Sequence, residues 1–188
     1  NVMDISDEDA IVIEVYSQQF RWDARYAGED NTLGLGNVNY IKGINTMGVD
    51  MKDENAQDDI QVTELYLPKG KKVHFKFRSQ DVLHSAYMPH FRAQMNCVPG
   101  MVTEFGFTPK YTTEEMRQQP EVIEKTKGIN KIRAAKGEDL YEFDYLLLCN
   151  KICGASHYSM QMKITVVEQE EYDKWIAEQP TLASVIKQ

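Results

Sequence analysis

No stretch of this chain approaches the roughly 18 to 20 consecutive apolar residues that cross a bilayer. Its opening, NVMDISDEDA, is neither a signal peptide nor a lipidation motif. A soluble polypeptide is therefore expected, either as such or as a soluble piece cut from a membrane protein. Internal repeats and low-complexity tracts are also missing, so neither a stacked-repeat architecture nor a biased disordered tract is expected. Basic side chains are in the minority, 21 Lys and Arg against 29 Asp and Glu, for a formal net charge of −8. That balance argues against nucleic acid, whose phosphates require Lys and Arg. It suits a basic protein partner steered in by complementary charge, or simply a surface kept acidic for solubility. Cysteine is scarce, with only Cys97, Cys149 and Cys153. An odd count makes a poor disulfide framework, which leaves a short Cys149–Cys153 bridge as the alternative to free thiols.

What is present is an ordinary globular balance, 42% hydrophobic and 27% charged. The 188 residues suffice for one sizeable core with an insertion. IVIEVY at 11–16 is a β-branched strand signal, and QQFRWDARY at 18–26 alternates aromatic and polar side chains as its continuation or partner. Residues 28–59 are rich in Gly, Asn and Asp and read as a long excursion with turns, ending in the solvated, acid-rich DMKDENAQDD. IQVTELYL at 60–67 reads as one strand with a slip in phase, VHFKFRS at 73–79 as a second and MVTEFGFT at 101–108 as a third. DVLHSAYMPHF between the last two is expected to be a loop. Residues 112–139 form a polar, partly helical insertion, in which Thr113 caps a short helix through Glu115 and Met116 and Pro120 breaks it. LYEFDYLLL at 140–148 and MQMKITVVE at 160–168 are strands, the second with Met160, Met162, Ile164 and Val166 on one face. A short helix around Tyr172 and Ile176 follows. Many short strands separated by turn signals predict an all-β sandwich or barrel.

The chemistry concentrates in LLLCNKICGASHYSMQM, residues 146–162, which gathers Cys149, Cys153, His157 and Met160. Thiol, imidazole and thioether are the side chains that bind soft and borderline transition metals. Their spacing also describes one face of a helix. The flanking runs alternate as strands, however, and Asn150 and Gly154 favour turns. The four side chains are therefore placed on a loop between two adjacent strands, where all can turn toward one point. Soft sulfur ligands select copper, and Met is not a usual zinc ligand. A single blue copper uses one Cys, whereas two thiolates can bridge two metals, each needing its own imidazole. Of the remaining histidines, His74 lies in a strand-like run, and His90 follows Pro89 as a surface or supporting residue. His84, in a loop directly after a strand, is the natural remote ligand.

SQDVLHSAYMPHF followed by CNKICGASHYSM resembles the copper-A domain of cytochrome c oxidase subunit II. The DVLHS loop and the C-x-x-x-C-x-x-x-H-x-x-M loop of that family are both intact. VPG at 98–100 and FRW at 20–22 fall where the family has similar segments. The resemblance implies a single cupredoxin-like Greek-key β-sandwich over residues 1–188. Its core would span about 11–168, with the excursion at 28–59, the insertion at 112–139 and a C-terminal tail at 169–188. It also implies a dinuclear copper centre bridged by the thiolates of Cys149 and Cys153. His157 would bind one copper and His84 the other, with Met160 the weak axial ligand beside His84 and the Lys151 carbonyl oxygen its counterpart. Asp81 would orient His84 or its loop, and Tyr87 and Met88 would pack over the site. Each of these three also has an ordinary reading, as a turn residue or as core. Phe20 and Trp22 would mark the point of electron entry, or serve as core packing alone. The implied role is electron transfer from cytochrome c to the copper pair and on to a haem in subunit I, where oxygen is reduced. The domain itself makes and breaks no substrate bond. Two transmembrane helices would precede it, holding it at the periplasmic face of a bacterial cytoplasmic membrane within an oxidase complex.

The sequence departs from the family in three places. Lys151 stands where Glu is common, and that Glu side chain helps hold a magnesium or manganese ion at the interface with subunit I. Lys cannot act as such a ligand, so no magnesium site is expected. Phe20 stands where Trp is common, so it either still marks the docking patch or the entry route differs. Cys97 replaces a small residue and is expected to be a buried free thiol. Competing readings fit less well. A copper chaperone needs no paired histidines or axial Met, and a quinol-oxidase subunit II lacks the copper ligands. The copper-A domain of nitrous-oxide reductase is joined to a separate catalytic domain of which nothing is seen here. A zinc hydrolase needs an open site with a general base.

Overall fold

The computed structural model describes residues 9–186. Among them run ten strands: β1 (Ile11–Gln18), β2 (Arg21–Tyr26), β3 (Ile60–Val62), β4 (Leu65–Pro68), β5 (Val73–Ser79), β6 (His84–Met88), β7 (Ala93–Cys97), β8 (Thr103–Phe107), β9 (Tyr145–Cys149) and β10 (Gln161–Val167). Four helices accompany them, α1 (Thr113–Arg117), α2 (Pro120–Ala135), α3 (Gln169–Glu178) and α4 (Leu182–Ile186). None of the described helices is long and apolar enough to cross a membrane. The strands form two five-stranded sheets, ordered β3-β2-β1-β5-β8 and β4-β10-β9-β6-β7. β1 runs parallel to β5, and β10 parallel to β4, while the remaining pairs are antiparallel. Ile13, Val15, Phe75 and Phe77 of one sheet and Leu65, Leu67, Leu147 and Ile164 of the other share one buried cluster. β-Branched and aromatic side chains suit such a half-buried pleated surface.

Several local expectations change. The run 60–67 is two strands rather than one, since β3 pairs with β2 in the first sheet and β4 with β10 in the second. The slip in phase at Thr63–Glu64 is the corner where the chain changes sheets. Residues 84–88 are strand β6 rather than loop, clamped between β7 and β9. Strand β7 was hidden because only Ala93 and Cys97 turn fully inward, with Gln94 and Asn96 exposed. Residues 140–144 approach without strand pairing, and β9 begins at Tyr145. Thr112, not Thr113, caps α1, in a capping box with Glu115 (Glu115 N to Thr112 Oγ1, 3.1 Å; Thr112 N to Glu115 Oε2, 2.9 Å). Thr113 instead accepts the Val166 N–H at 2.9 Å and ties α1 to β10. Pro120 ends α1 but also opens α2, in the first turn, where a missing N–H leaves nothing unpaired.

The excursion 28–59 is held by buried charge. Arg25, on β2 opposite Glu14 on β1, is 2% exposed. Its Nε donates to Glu14 Oε2 at 2.6 Å, Nη1 to Asp59 Oδ2 at 2.5 Å and Nη2 to the Gly34 carbonyl at 2.6 Å. Arg78 from β5 approaches the other Glu14 oxygen at 2.9 Å and donates to the Met47 carbonyl at 3.1 Å. Burial pushes the Asp59 carboxyl up to about 6, against the pull of Arg25. Arg25→Met keeps the bulk but takes one of two guanidinium partners from Glu14 and the guanidinium partner from Asp59, so it should cost about 3–5 kcal/mol at neutral pH, read as a lower urea midpoint. A carboxyl whose folded pKa lies above its unfolded value gains stability on protonation. The deficit of the variant should therefore shrink as pH falls from about 8 to about 5.

Candidate metal centre

Every candidate ligand lies in the β4-β10-β9-β6-β7 sheet or in the loop between β9 and β10. β9 ends at Cys149, whose N–H donates to the Met160 carbonyl at 3.2 Å, while the Asn150 N–H donates to the Ser85 carbonyl at 2.9 Å. The loop thus leaves β9 and rejoins β10 at one place. It contains a single 3-10 turn, His157–Ser159, and no helical stripe. In the β6–β9 register Ala86 faces Cys149. His84, two residues nearer the strand start, therefore sits past the end of β9 and beside the loop.

This register brings the His84 Nδ1 to 3.8 Å from Cys149 Sγ. The two sulfurs of Cys149 and Cys153 are 3.8 Å apart. Cys153 Sγ lies 3.6 Å from His157 Nδ1 and 3.8 Å from Met160 Sδ. The Lys151 carbonyl oxygen is 3.2 Å from Cys149 Sγ. His84, Cys149 and Cys153 offer ligand atoms that all lie within 4.8 Å of one another. His84 and both cysteines are buried, His157 is half-buried and the Lys151 side chain is exposed.

The donor set fits a soft cation. Bonds of roughly 2.3 Å from one metal to two thiolates at a tetrahedral angle hold the sulfurs roughly 3.8 Å apart, whereas a disulfide needs roughly 2.05 Å. Cys149 and Cys153 are free thiols. Burial pushes the Cys153 thiol up to about 11, and the adjacent Cys149 adds to the rise. Two thiolates so close are held together only against a cation. Two thiolates, two imidazoles, a thioether and a carbonyl are the donors copper prefers.

A supporting layer surrounds these atoms. Asp81 Oδ1 is 2.9 Å from His84 Nε2, which leaves Nδ1 facing the sulfur. The same carboxylate accepts the Val82 N–H and the Gln19 N–H, each at 2.7 Å. Burial works against its charge, but these bonds hold the carboxyl below the usual range. Trp22 is buried, its indole N–H donates to the Met160 carbonyl at 3.4 Å, and its ring meets His84 edge-on at 6.2 Å. Phe20 is half-buried at the β1–β2 turn and lies against Gly154. A Cβ on Gly154 would come 2.8 Å from the Phe20 ring, and its φ of +149° also favours glycine. The Gln19 amide donates to the Cys153 carbonyl.

The remaining candidates lie farther off. Met88 is buried on the His84 side of β6 but four residues, or roughly 13 Å, along the strand. Tyr87 is half-buried on the alternate face. His74 is buried on β5, 3.4 Å from a Glu104 oxygen, and His90 meets Phe143 edge-on at 4.8 Å beyond the end of β6. Cys97 is a buried free thiol paired across from His84, and burial pushes it up to about 11. Sequence reasoning missed Gln19 and Ser85, neither of which bears metal-ligand chemistry, and read Gly154 only as a turn residue. The available signal was a two-residue turn of Gln19 and Phe20 with no Gly, Asn or Asp.

The sulfur geometry makes one outcome testable without metal. Mild oxidation of the metal-free protein should join Cys149 to Cys153, with two electrons and two protons passing to the oxidant. Peptide mass mapping should then find a single thiol still free on unfolding, at Cys97.

No family model matches the chain. Its sequence is 36% identical over 179 residues to the alternative cytochrome c oxidase subunit 2 of Bradyrhizobium diazoefficiens, a match covering 94% of this chain and 54% of that one. It is 24% identical over 169 residues to the cytochrome c oxidase subunit 2 of Alkalihalophilus pseudofirmus, covering 90% of this chain and 32% of that one. The chain thus spans about half or less of the length of these relatives. The periplasmic domain of subunit II of cytochrome oxidase (CoxB) of Bradyrhizobium japonicum shares the fold, with a TM-score of 0.54, 19% identity and 94% coverage of both chains. The cupredoxin-like β-sandwich implied by the DVLHS and C-x-x-x-C-x-x-x-H-x-x-M segments is thus the observed fold. With more than a third of its residues identical over nearly its whole length to one such subunit, the chain belongs to the cytochrome c oxidase subunit II family.

Proposed function

We propose that the chain is the electron-transfer domain of an oxidase subunit II and holds a dinuclear copper centre. The ligands would be the side chains of His84, Cys149, Cys153, His157 and Met160 and the carbonyl of Lys151. The observation that carries this reading is the pair of sulfurs 3.8 Å apart, each with its own imidazole nitrogen within 3.8 Å. Bound copper would supply a one-electron carrier shared over both metals. The protein would hold still around it. His84 and Cys149 are strand residues, and Met160 abuts β10, so the ligands move little when the charge changes. Trp22 and Met160 close the inner side against water. Asp81 fixes the His84 tautomer through Nε2. Lys151 offers only its carbonyl, and its ammonium cannot join a magnesium site.

The outer side suits a protein partner. Val82, Leu83, Ile152 and Tyr158 are exposed apolar residues beside the ligands, Ile152 by 85% and Tyr158 by 87%. With Phe20 at their edge, they would form the docking patch for an electron donor such as cytochrome c. The acceptor would be a haem in subunit I. N-terminal helices outside this chain would anchor the single copper domain, core about 11–168, at the periplasmic face of the membrane.

Electron paramagnetic resonance after copper reconstitution tests this reading. About two coppers per chain and a hyperfine pattern shared equally by two nuclei are expected. A single-copper spectrum, or tight binding of zinc instead, overturns it. Asp81→Ala should weaken copper binding by about 10–100-fold in a competition titration, because His84 loses the group that orients it.

A further inference from the structure

Gln19 sits at the tip of the β1–β2 turn, on the sheet that supplies no ligand. From there it reaches both ligand-bearing segments. Its main-chain N–H donates to Asp81 Oδ2 at 2.7 Å, and Asp81 holds His84. Its side-chain amide donates to the carbonyl of Cys153. The β9–β10 loop is tied to its own sheet at its ends, by Cys149 and Asn150. Cys153 lies in the middle of that loop, and there the opposite sheet takes hold of it. The Gln19 side chain is itself exposed, so it adds little to the core.

We propose that Gln19 is a positioning residue for the copper centre, a clamp that fixes the Cys153 half of the loop against the Asp81–His84 segment. The inference rests on the dinuclear reading above. Two bonds from one residue set the separation of two ligand segments that come from distant parts of the chain. Without the amide donor, the Cys153 sulfur is free to shift relative to that of Cys149. The two halves of the centre then become unequal.

Two variants test the clamp. Gln19→Glu keeps the size and the main-chain bond but turns an acceptor toward the Cys153 carbonyl. Gln19→Met keeps the length and removes the donor. In the copper-reconstituted chain both should lose copper to excess EDTA up to about tenfold faster than wild type, the scale of one lost hydrogen bond. Their hyperfine pattern should become unequal between the two nuclei. The melting temperature of the metal-free variants should stay close to wild type. Wild-type copper loss and an equal pattern in both variants would overturn the clamp while leaving the centre intact. A large fall in metal-free melting temperature in both would assign Gln19 to the fold and also overturn it. Failure of the wild-type chain to show the shared pattern would instead remove the centre on which the clamp depends.

Discussion

β6 and β9 stay paired only as far as Asn150, whose N–H donates to Ser85, and beyond that point the two chains part. The geometry of the centre follows from this parting. Cys149 is the last strand residue, so its sulfur is placed with the rigidity of a sheet. His84 lies one residue beyond Ser85 and overhangs the gap. The Cys149–Met160 main-chain bond closes the loop at its neck. Three candidate ligands are therefore fixed by strand register, and the loop has only to carry Lys151, Cys153 and His157 inward. Sites built on strands hold their geometry better than sites built on loops alone. That is why the candidate ligand atoms converge on one place.

The opposite sheet depends on a different polar cluster. Glu14, Arg25 and Asp59 are buried together with the half-buried Arg78 beside them, and guanidinium forks meet carboxylates on two sides. The excursion they anchor is too poor in periodic apolar residues to bury itself. Glu14 and Arg25 also face one another across the β1–β2 hairpin. The pair that fastens the excursion therefore stiffens the same hairpin whose tip, Gln19 and Phe20, touches the cysteine loop. The two clusters lie apart, but one hairpin connects them.

The candidate ligand loop stood out in the sequence because metal chemistry restricts donors to a few side chains, and four of them fall from Cys149 to Met160. The strand at 11–16 was legible from its β-branched run, and those at 73–79 and 160–168 from alternation. His84 stood out as a residue but not as part of a strand, because β6 is defined by pairing with β9, which lies far off in sequence, and with β7, whose own strand signal is weak. The split at Thr63–Glu64 showed itself as a slip in phase, but alternation alone does not say which sheet a strand joins. Gln19 was invisible for a similar reason. A glutamine in a turn has no signature until the backbone carbonyl it reaches has been placed by the fold.

The surface beside the centre combines two features that oppose one another in an isolated protein. Ile152 and Tyr158 lie on the ligand loop itself and are almost fully exposed. A chain that needed only to hold metal would gain nothing by presenting them to water. The formal charge of −8 acts over a longer range, roughly the 8–10 Å over which salt screens it. Charge of one sign steers a partner of the other, and it raises the rate of encounter more than it tightens the complex. A small apolar patch then gives contact without a large buried area, which suits weak, transient redox pairing. In the proposed role that pairing must be fast in both directions, because each visit delivers one electron. An apolar rim on a rigid loop, within an acidic protein, meets both needs.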